Sequence, residues 1–241
     1  MSKRNNIDWR YKQITMKYKD IKKAKFLSRP NRFIAYVEID GRPEICHVKN
    51  TGRCRELLLP DAEVVVQKAD SAARKTKYDL IGVYKEKRLI NIDSQAPNKV
   101  FHEWVKNNNF FKTLSLIKPE YQYQSSRLDF YIEAEKRKVL VEVKGVTLEK
   151  NGAALFPDAP TERGLKHIKH LCHALNEGFE AYLFFIIQMK DVLYFAPNNE
   201  THQAFGDALI SAEKQGLKIT ALDCEVTDDS IKARDFVEVR L

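Results

Sequence analysis

Ser126–Val146 reads SRLDFYIEAEKRKVLVEVKGV, two short runs of alternating apolar residues around a charged turn. Successive side chains on a strand face opposite ways. Arg127, Asp129 and Tyr131 are therefore expected on one face, with Leu128, Phe130 and Ile132 on the other. In the second run Leu140, Glu142 and Lys144 stand opposite Val139, Val141 and Val143. With an even number of residues in the turn around Ala134 to Arg137, an antiparallel register sets Asp129 directly across from Glu142. Facing side chains in such a pair have Cβ atoms about 4.5–5.5 Å apart, and like charges so placed repel. A divalent cation removes that repulsion by accepting oxygen ligands from both carboxylates. Mg²⁺ (or Mn²⁺) is the ion expected, because Mg²⁺ takes one or two carboxylates and keeps waters that a phosphate oxygen can replace. Lys144 would project beside that ion, where it could orient or deprotonate a water and stabilise charge on a scissile phosphate. The competing reading is an exposed hairpin face whose Glu and Lys are merely solvated.

The rest of the chain is compatible with phosphate chemistry. Its 241 residues suffice for two domains at roughly 100–200 residues each, and 44% hydrophobic with 31% charged residues describes a protein with a real core. A net charge of +8 favours a polyanionic partner, DNA and/or RNA, through counterion release. No run approaches the roughly 18 apolar residues of a membrane helix, and the N-terminus lacks an apolar signal segment. The expectation is a cytoplasmic protein with no membrane partner; the oligomeric state is left open, a homodimer being one form. Cys46, Cys54, Cys172 and Cys224 make no C-x-x-C pair, which argues against a disulfide framework or structural zinc.

Residues 1–20 are basic and polar, with Trp9 and Tyr11 interspersed, and read as an arm or an extra strand. From Arg32 come strand-like pieces: Phe33–Ile39, Glu44–Val48, Glu63–Gln67, Tyr78–Tyr84 and Arg88–Ile92, with Asp40-Gly41 as a hairpin turn. Such spacing suits a small barrel, OB-like or SH3-like. The polar stretch Asp93–Asn98 reads as the boundary between a barrel domain, 1–96, and a second domain, 97–241. The second domain reads as mixed α/β with helices on both sides of one sheet, including a helix over Thr161–Glu177 with Leu165, Ile168, Cys172 and Leu175 as its core stripe.

Asp129, followed by Glu142-Val143-Lys144, resembles the core of the restriction-endonuclease-like PD-(D/E)XK nucleases. The wider text resembles the sugar fermentation stimulation protein A family more closely: Ser126-Arg-Leu-Asp129, Val141-Glu-Val-Lys144, Phe156-Pro-Asp-Ala159, Thr161–His167 and, earlier, His47–Gly52 and Arg74–Tyr78. That likeness runs from about Ala24 to the C-terminus. It implies an OB-like N-terminal barrel, a nuclease-like α/β domain and DNA binding. Asp129 follows Leu128 where the nucleases have proline, and Pro157-Asp158 lies after the Glu-x-Lys element instead of before it.

The reading thus assigns Asp129, Glu142 and Lys144 to catalysis, and Asp129, Glu142, the Val143 carbonyl and Glu120 to metal binding. Glu120, in Lys118-Pro-Glu120, takes a place where related nucleases often supply another carboxylate. Arg163, Lys166 and His167 near a helix N-terminus, Arg127 on the hairpin, and Arg32, Lys49, Arg53 and Arg55 in the barrel are assigned to nucleic acid. The expected function is a divalent-metal-dependent nuclease. The alternative is a non-catalytic DNA-binding regulatory protein on a nuclease scaffold; an enzyme of sugar metabolism lacks a phosphate-binding glycine loop or cofactor motif.

Overall fold

The computed structural model describes residues 16–50, 52–70 and 74–241; Trp9 and Tyr11 lie outside the described residues. The first elements are β1 (Met16–Lys17), β2 (Ile21–Ser28), β3 (Ile34–Ile39), β4 (Arg42–Val48), β5 (Glu63–Lys68), β6 (Tyr78–Lys85) and β7 (Arg88–Asn91). β2 to β7 form one sheet in the order β4-β3-β2-β5-β6-β7, and β6 also pairs in parallel with β4. The five strands β2 to β6 therefore close on themselves as a Greek-key barrel of the OB type. Asp40 and Gly41 both adopt positive φ, 53° and 73°, as a two-residue hairpin turn matched to strand twist requires. β2 was hidden in the sequence because lysines fill three of its eight positions, IKKAKFLS, and only Ala24 and Phe26 are buried.

The remaining elements are α1 (Ala96–Asn107), β8 (Leu114–Tyr123), β9 (Ser126–Ala134), β10 (Arg137–Val146), β11 (Leu148–Lys150), β12 (Ala153–Phe156) and α2 (Glu162–Asn176). They are followed by β13 (Glu180–Ile187), β14 (Tyr194–Pro197), α3 (Asn199–Lys214), β15 (Lys218–Thr227) and β16 (Ser230–Val237). Seven strands order as β1-β16-β15-β13-β10-β9-β8, with β10, β13 and β15 parallel at the centre. Parallel strands covered on both faces read as continuous apolar runs, and in β13, EAYLFFII, all but Glu180 are buried. Phe101 and Val105 of α1 join Val139, Val141 and Phe184 in one core cluster, whereas Ile168 and Leu171 of α2 and Leu209 of α3 join Leu140, Leu183 and Phe185 in the other. The two helical layers thus lie on opposite faces, as the mixed α/β reading requires. None of the described helices is long and apolar enough to cross a membrane.

Four details differ from the sequence reading. Met16–Lys17, grouped there with the barrel, pairs with β16 of the large sheet. α1 begins at Ala96, inside the stretch read as a boundary loop, because Pro97 in the first turn needs no amide partner. β11, β12 and β16 were not anticipated. The buried side of α2 is Gly164, His167, Ile168, Leu171 and Ala174, so the apolar stripe is rotated from the expected one and Leu165, Cys172 and Leu175 are only partly buried.

Polar contacts hold the barrel to the large sheet. Asp93 is fully buried and takes Lys49 Nζ at 2.7 Å and the Tyr18 hydroxyl at 3.3 Å, while Gln188 Nε2 donates to its carbonyl at 3.0 Å. Glu149 of β11 accepts Lys85 Nζ of β6 at 2.6 Å and the Gly152 amide at 2.6 Å, with Arg88 3.3 Å away. Burial alone would raise the Glu149 carboxyl, but Lys85, the Gly152 amide and Arg88 hold it below the ordinary glutamate value. A lowered carboxyl contributes stability above its unfolded value and loses it as pH falls through the folded one. Glu149→Gln should therefore cost about 1–3 kcal/mol at neutral pH. The difference from wild type should shrink on acidification through the lowered Glu149 value, as read by paired denaturant titrations across pH.

Candidate active site

The β9–β10 register runs from Arg137–Ala134 to Val141–Phe130. One more step would set Glu142 opposite Asp129, the register anticipated from the hairpin. Around that step a side chain takes over a main-chain bond: the Val143 amide donates to Asp129 Oδ2 at 2.8 Å. Alternation also breaks, because Leu128 packs in the cluster of Tyr131 and Leu140 while Phe130 and Ile132 belong to the other. The expected grouping of Leu128 with Phe130 and Ile132 therefore fails at the residue preceding Asp129. Asn98, in the first turn of α1, donates to Asp129 Oδ1 at 2.8 Å. Both Asp129 oxygens are thus fixed by donors, and the carboxylate is held in one orientation.

Glu142 is 2% exposed. Its Oε1 receives Lys144 Nζ at 2.5 Å, from two residues along the same strand face, and also His167 Nδ1 from α2. Its Oε2 is buried and has no hydrogen-bond partner. Thr161 caps α2 by accepting the Gly164 amide at 3.0 Å, which sets the helix start and hence the His167 position. Arg163 Nε, which can only donate, points at His167 Nε2 at 3.4 Å. Nε2 must then accept, which assigns the ring proton to Nδ1, directed at Glu142 Oε1. Arg163, His167, Glu142 and Lys144 form one hydrogen-bonded row.

Burial, then the adjacent Glu142 charge, hold the Asp129 carboxyl above its ordinary value, against the Val143 amide, Asn98 and Lys144. Burial also opposes ionisation of Glu142, but the His167 hydrogen bond and the Lys144 charge outweigh it and hold Glu142 below the ordinary value. The pair contains one carboxylate kept charged and one kept charged only at a cost. Among the described residues no group of three His, Cys, Asp or Glu side chains is arranged to hold a metal. The donor set is therefore two carboxylates with one bare buried oxygen. It suits a hard cation that completes its shell with main-chain oxygen and water, as Mg²⁺ does, and not a thiolate- or imidazole-seeking ion.

The other anticipated site residues divide. The register places Glu120 opposite Asp129, between the pairs Pro119–Phe130 and Tyr121–Leu128, yet its backbone sits at φ 52°. Its side chain is 71% exposed and meets exposed Arg127 at 3.6 Å. Lys166 is exposed and reaches the Ser125 carbonyl at 3.5 Å. His167, assigned by sequence to a nucleic-acid surface, is buried against Glu142. Lys49, assigned likewise, is committed to buried Asp93. Arg32, Arg53 and Arg55 meet around one barrel cavity. Asn98 was missed altogether, and no local pattern marks it.

Residues 27–92 match the family described as the SfsA N-terminal OB domain, and residues 95–230 match the sugar fermentation stimulation protein RE domain. A sugar fermentation stimulation protein homolog of Desulfitobacterium hafniense is 66% identical over 226 residues, covering 94% of this chain and 99% of that protein. The homolog of Clostridium beijerinckii is 58% identical, covering 94% and 100%. The structure of Pyrococcus furiosus SfsA in complex with Ca²⁺ superposes with a TM-score of 0.86 at 28% identity, covering 95% of this chain and 100% of that one. The chain belongs to the sugar fermentation stimulation protein A family, joining an N-terminal OB domain to a C-terminal RE domain.

Proposed function

We propose that this protein is a divalent-metal-dependent nuclease that hydrolyses phosphodiester bonds in nucleic acid, with the barrel, within 1–96, as a binding module and 97–241 as the catalytic domain. The observation that carries this reading is the bare, buried Glu142 Oε2 beside Asp129, with Lys144 on the other oxygen of Glu142. A binding protein has no use for two adjacent carboxylates withdrawn from solvent, one of them with a buried oxygen that no donor meets. Asp129, Glu142 Oε2 and the Val143 carbonyl would hold Mg²⁺ or Mn²⁺; exposed Glu120 would join only through water. The relative from Pyrococcus furiosus was solved with Ca²⁺, a cation of the same oxygen-seeking class. A bound divalent ion supplies charge neutralisation at the phosphate and acidifies a water.

The chain's own residues do the rest. Asn98 and the Val143 amide orient Asp129, and His167 orients Glu142 by occupying Oε1. The Lys144 side chain is 16% exposed, so its ammonium can reach a substrate phosphate while remaining on Glu142. There it would stabilise charge gathered on the phosphoryl oxygens and hold the attacking water. Arg163, exposed at its solvent side, would meet the strand's phosphates.

The test is a cleavage panel on single- and double-stranded DNA and RNA with Mg²⁺, Mn²⁺ or chelator, run beside thermal melts. Wild type should cut only with metal and should gain about 2.7 kcal/mol at a hundred times its Kd for the ion. Asp129→Asn should lose the shift and cleavage together. Lys144→Ala should keep the shift and lose about 10²–10⁴-fold in rate. No metal-dependent shift in wild type, with undiminished cutting by Asp129→Asn, would sink the proposal. Without metal, Asp129→Asn should melt at or above the wild-type temperature at neutral pH. A carboxyl raised by folding costs stability once pH exceeds its folded value, and the amide removes that cost.

His167 gives an independent prediction. His167→Asn places an amide N–H near the position of Nδ1 and can still donate to Glu142 Oε1, whereas His167→Leu cannot. Mn²⁺ titration calorimetry should find affinity about 10–100-fold weaker in the Leu variant and largely retained in the Asn variant. Equal affinities in the two variants would remove His167 from the site.

A further inference from the structure

Arg32, Arg53 and Arg55 line a barrel cavity of about 440 Å³, and a fourth arginine, Arg29, forms part of its wall. Among the described residues no Asp or Glu lines this cavity. Among the described residues none of the four guanidinium groups has a carboxylate partner, whereas Arg74, Arg88, Arg127, Arg137, Arg234 and Arg240 each have one. Asp158 lies near, but it accepts the backbone amide of Arg53 at 3.2 Å and not the side chain. Cations gathered without a counter-charge raise one another's energy, and an anion entering between them lowers it.

The loops that present these groups are fixed in advance. Arg29 donates to the carbonyls of Arg32 at 2.8 Å, Asn50 at 2.8 Å, Gly52 at 3.0 Å and Arg53 at 2.7 Å, so one guanidinium ties both loops together. Asn50 Oδ1 accepts the Gly52 amide at 2.7 Å. A Cβ at Gly52 would stand 2.6 Å from Asp158 Oδ2 and 2.8 Å from Asn50 Oδ1, so a larger residue would have to push these two side chains aside. Binding groups held in place before the ligand arrives lose little entropy on association. Leu27, Leu58 and Pro60 add apolar lining to the same cavity. Next in sequence to Arg32 and outside the cavity lining, Phe33 is 45% exposed, and the Arg32 guanidinium lies 4.7 Å over its ring.

We propose that this cavity receives one nucleotide of a single-stranded nucleic acid, its phosphate between Arg32, Arg53 and Arg55 and its sugar and base against Leu27, Leu58 and Pro60. Phe33, with Arg32 above it, is the stacking platform for the neighbouring base. The inference rests on the reading of the protein as acting on nucleic acid and adds the substrate class. A cavity of this size sits at the lower end of the roughly 300–1,000 Å³ of small-ligand sites. It admits one unit taken out of a stack; a duplex would first have to break a base pair to fill it.

Fluorescence anisotropy in chelator, so that nothing is cut, measures the binding. The probes are a labelled oligonucleotide of about 12 nucleotides, the same sequence as blunt duplex, and dTMP and inorganic phosphate as competitors. Wild type should bind the single strand at least about tenfold more tightly than the duplex, and dTMP should compete better than phosphate. Arg53→Glu/Arg55→Glu should lose at least about tenfold in single-strand affinity, given the strength of guanidinium–phosphate bonds. Lys112→Glu/Lys214→Glu, the same charge change at exposed positions outside the cavity, should lose less than about threefold; Arg53→Ala serves if the double variant melts early. Equal losses in the two double variants, equal affinity for duplex and single strand, or competition by phosphate as strong as by dTMP would overturn the inference. Selective binding without any metal-dependent cleavage would support the cavity and reject the catalytic proposal. Cleavage that is unchanged in Arg53→Glu/Arg55→Glu would do the reverse.

Discussion

Two neighbouring carboxylates, half-buried Asp129 and buried Glu142, set the terms for everything around them. Two like unit charges about 5 Å apart at an effective dielectric of about 20 repel by roughly 3 kcal/mol, against a net folding stability of about 5–15 kcal/mol. Left uncompensated, that repulsion would consume a large share of the stability. Four groups answer it: Asn98 and the Val143 amide on Asp129, His167 and Lys144 on Glu142. They come from both helical layers and from the strand itself, so the site draws on α1, α2 and β10 at once. The compensation is incomplete, since Glu142 Oε2 is left bare. In the proposed function, that remainder is what a cation would neutralise.

The architecture follows from the same demand. Strands β9 and β10 exchange main-chain bonds up to Val141–Phe130, and at the next step a side-chain carboxylate substitutes for a carbonyl. β10 continues into the parallel centre of the sheet beside β13, which makes it a rigid support for Glu142 and Lys144. The buried Asp93 cluster, with Lys49, Tyr18 and Gln188, and the Glu149 contacts to Lys85 and Arg88 fix the barrel against that sheet. The barrel and the sheet that carries Asp129 and Glu142 therefore stand in a set relation.

Much of this was legible in one hairpin. Alternation and a short charged turn gave the two strands and their register as far as Val141–Phe130, because period-two side-chain direction is a local property, but not the break of alternation at Leu128 or the turn of the Asp129 carboxylate onto the Val143 amide. Asn98 was not legible as a site residue, and His167 was read as a nucleic-acid contact and not as the partner of Glu142. They lie 31 and 25 residues from their carboxylate partners and arrive on helices whose rotation depends on tertiary packing. The expected stripe of α2 was displaced for the same reason: a hydrophobicity count places His167 outside, but a buried carboxylate makes the inside its lower-energy position. Lys49 shows the converse error, since a basic residue on a barrel reads as a phosphate contact until Asp93 is found behind it. β2 escaped because its outward lysines outnumber its two buried residues.

The most direct test of the central claim is anomalous diffraction from crystals soaked in Mn²⁺. The account predicts a peak within bonding distance of an Asp129 oxygen and of Glu142 Oε2, with Lys144 and His167 still on Oε1. Crystals that diffract well and show no manganese between Asp129 and Glu142, with Oε2 still bare, would contradict it.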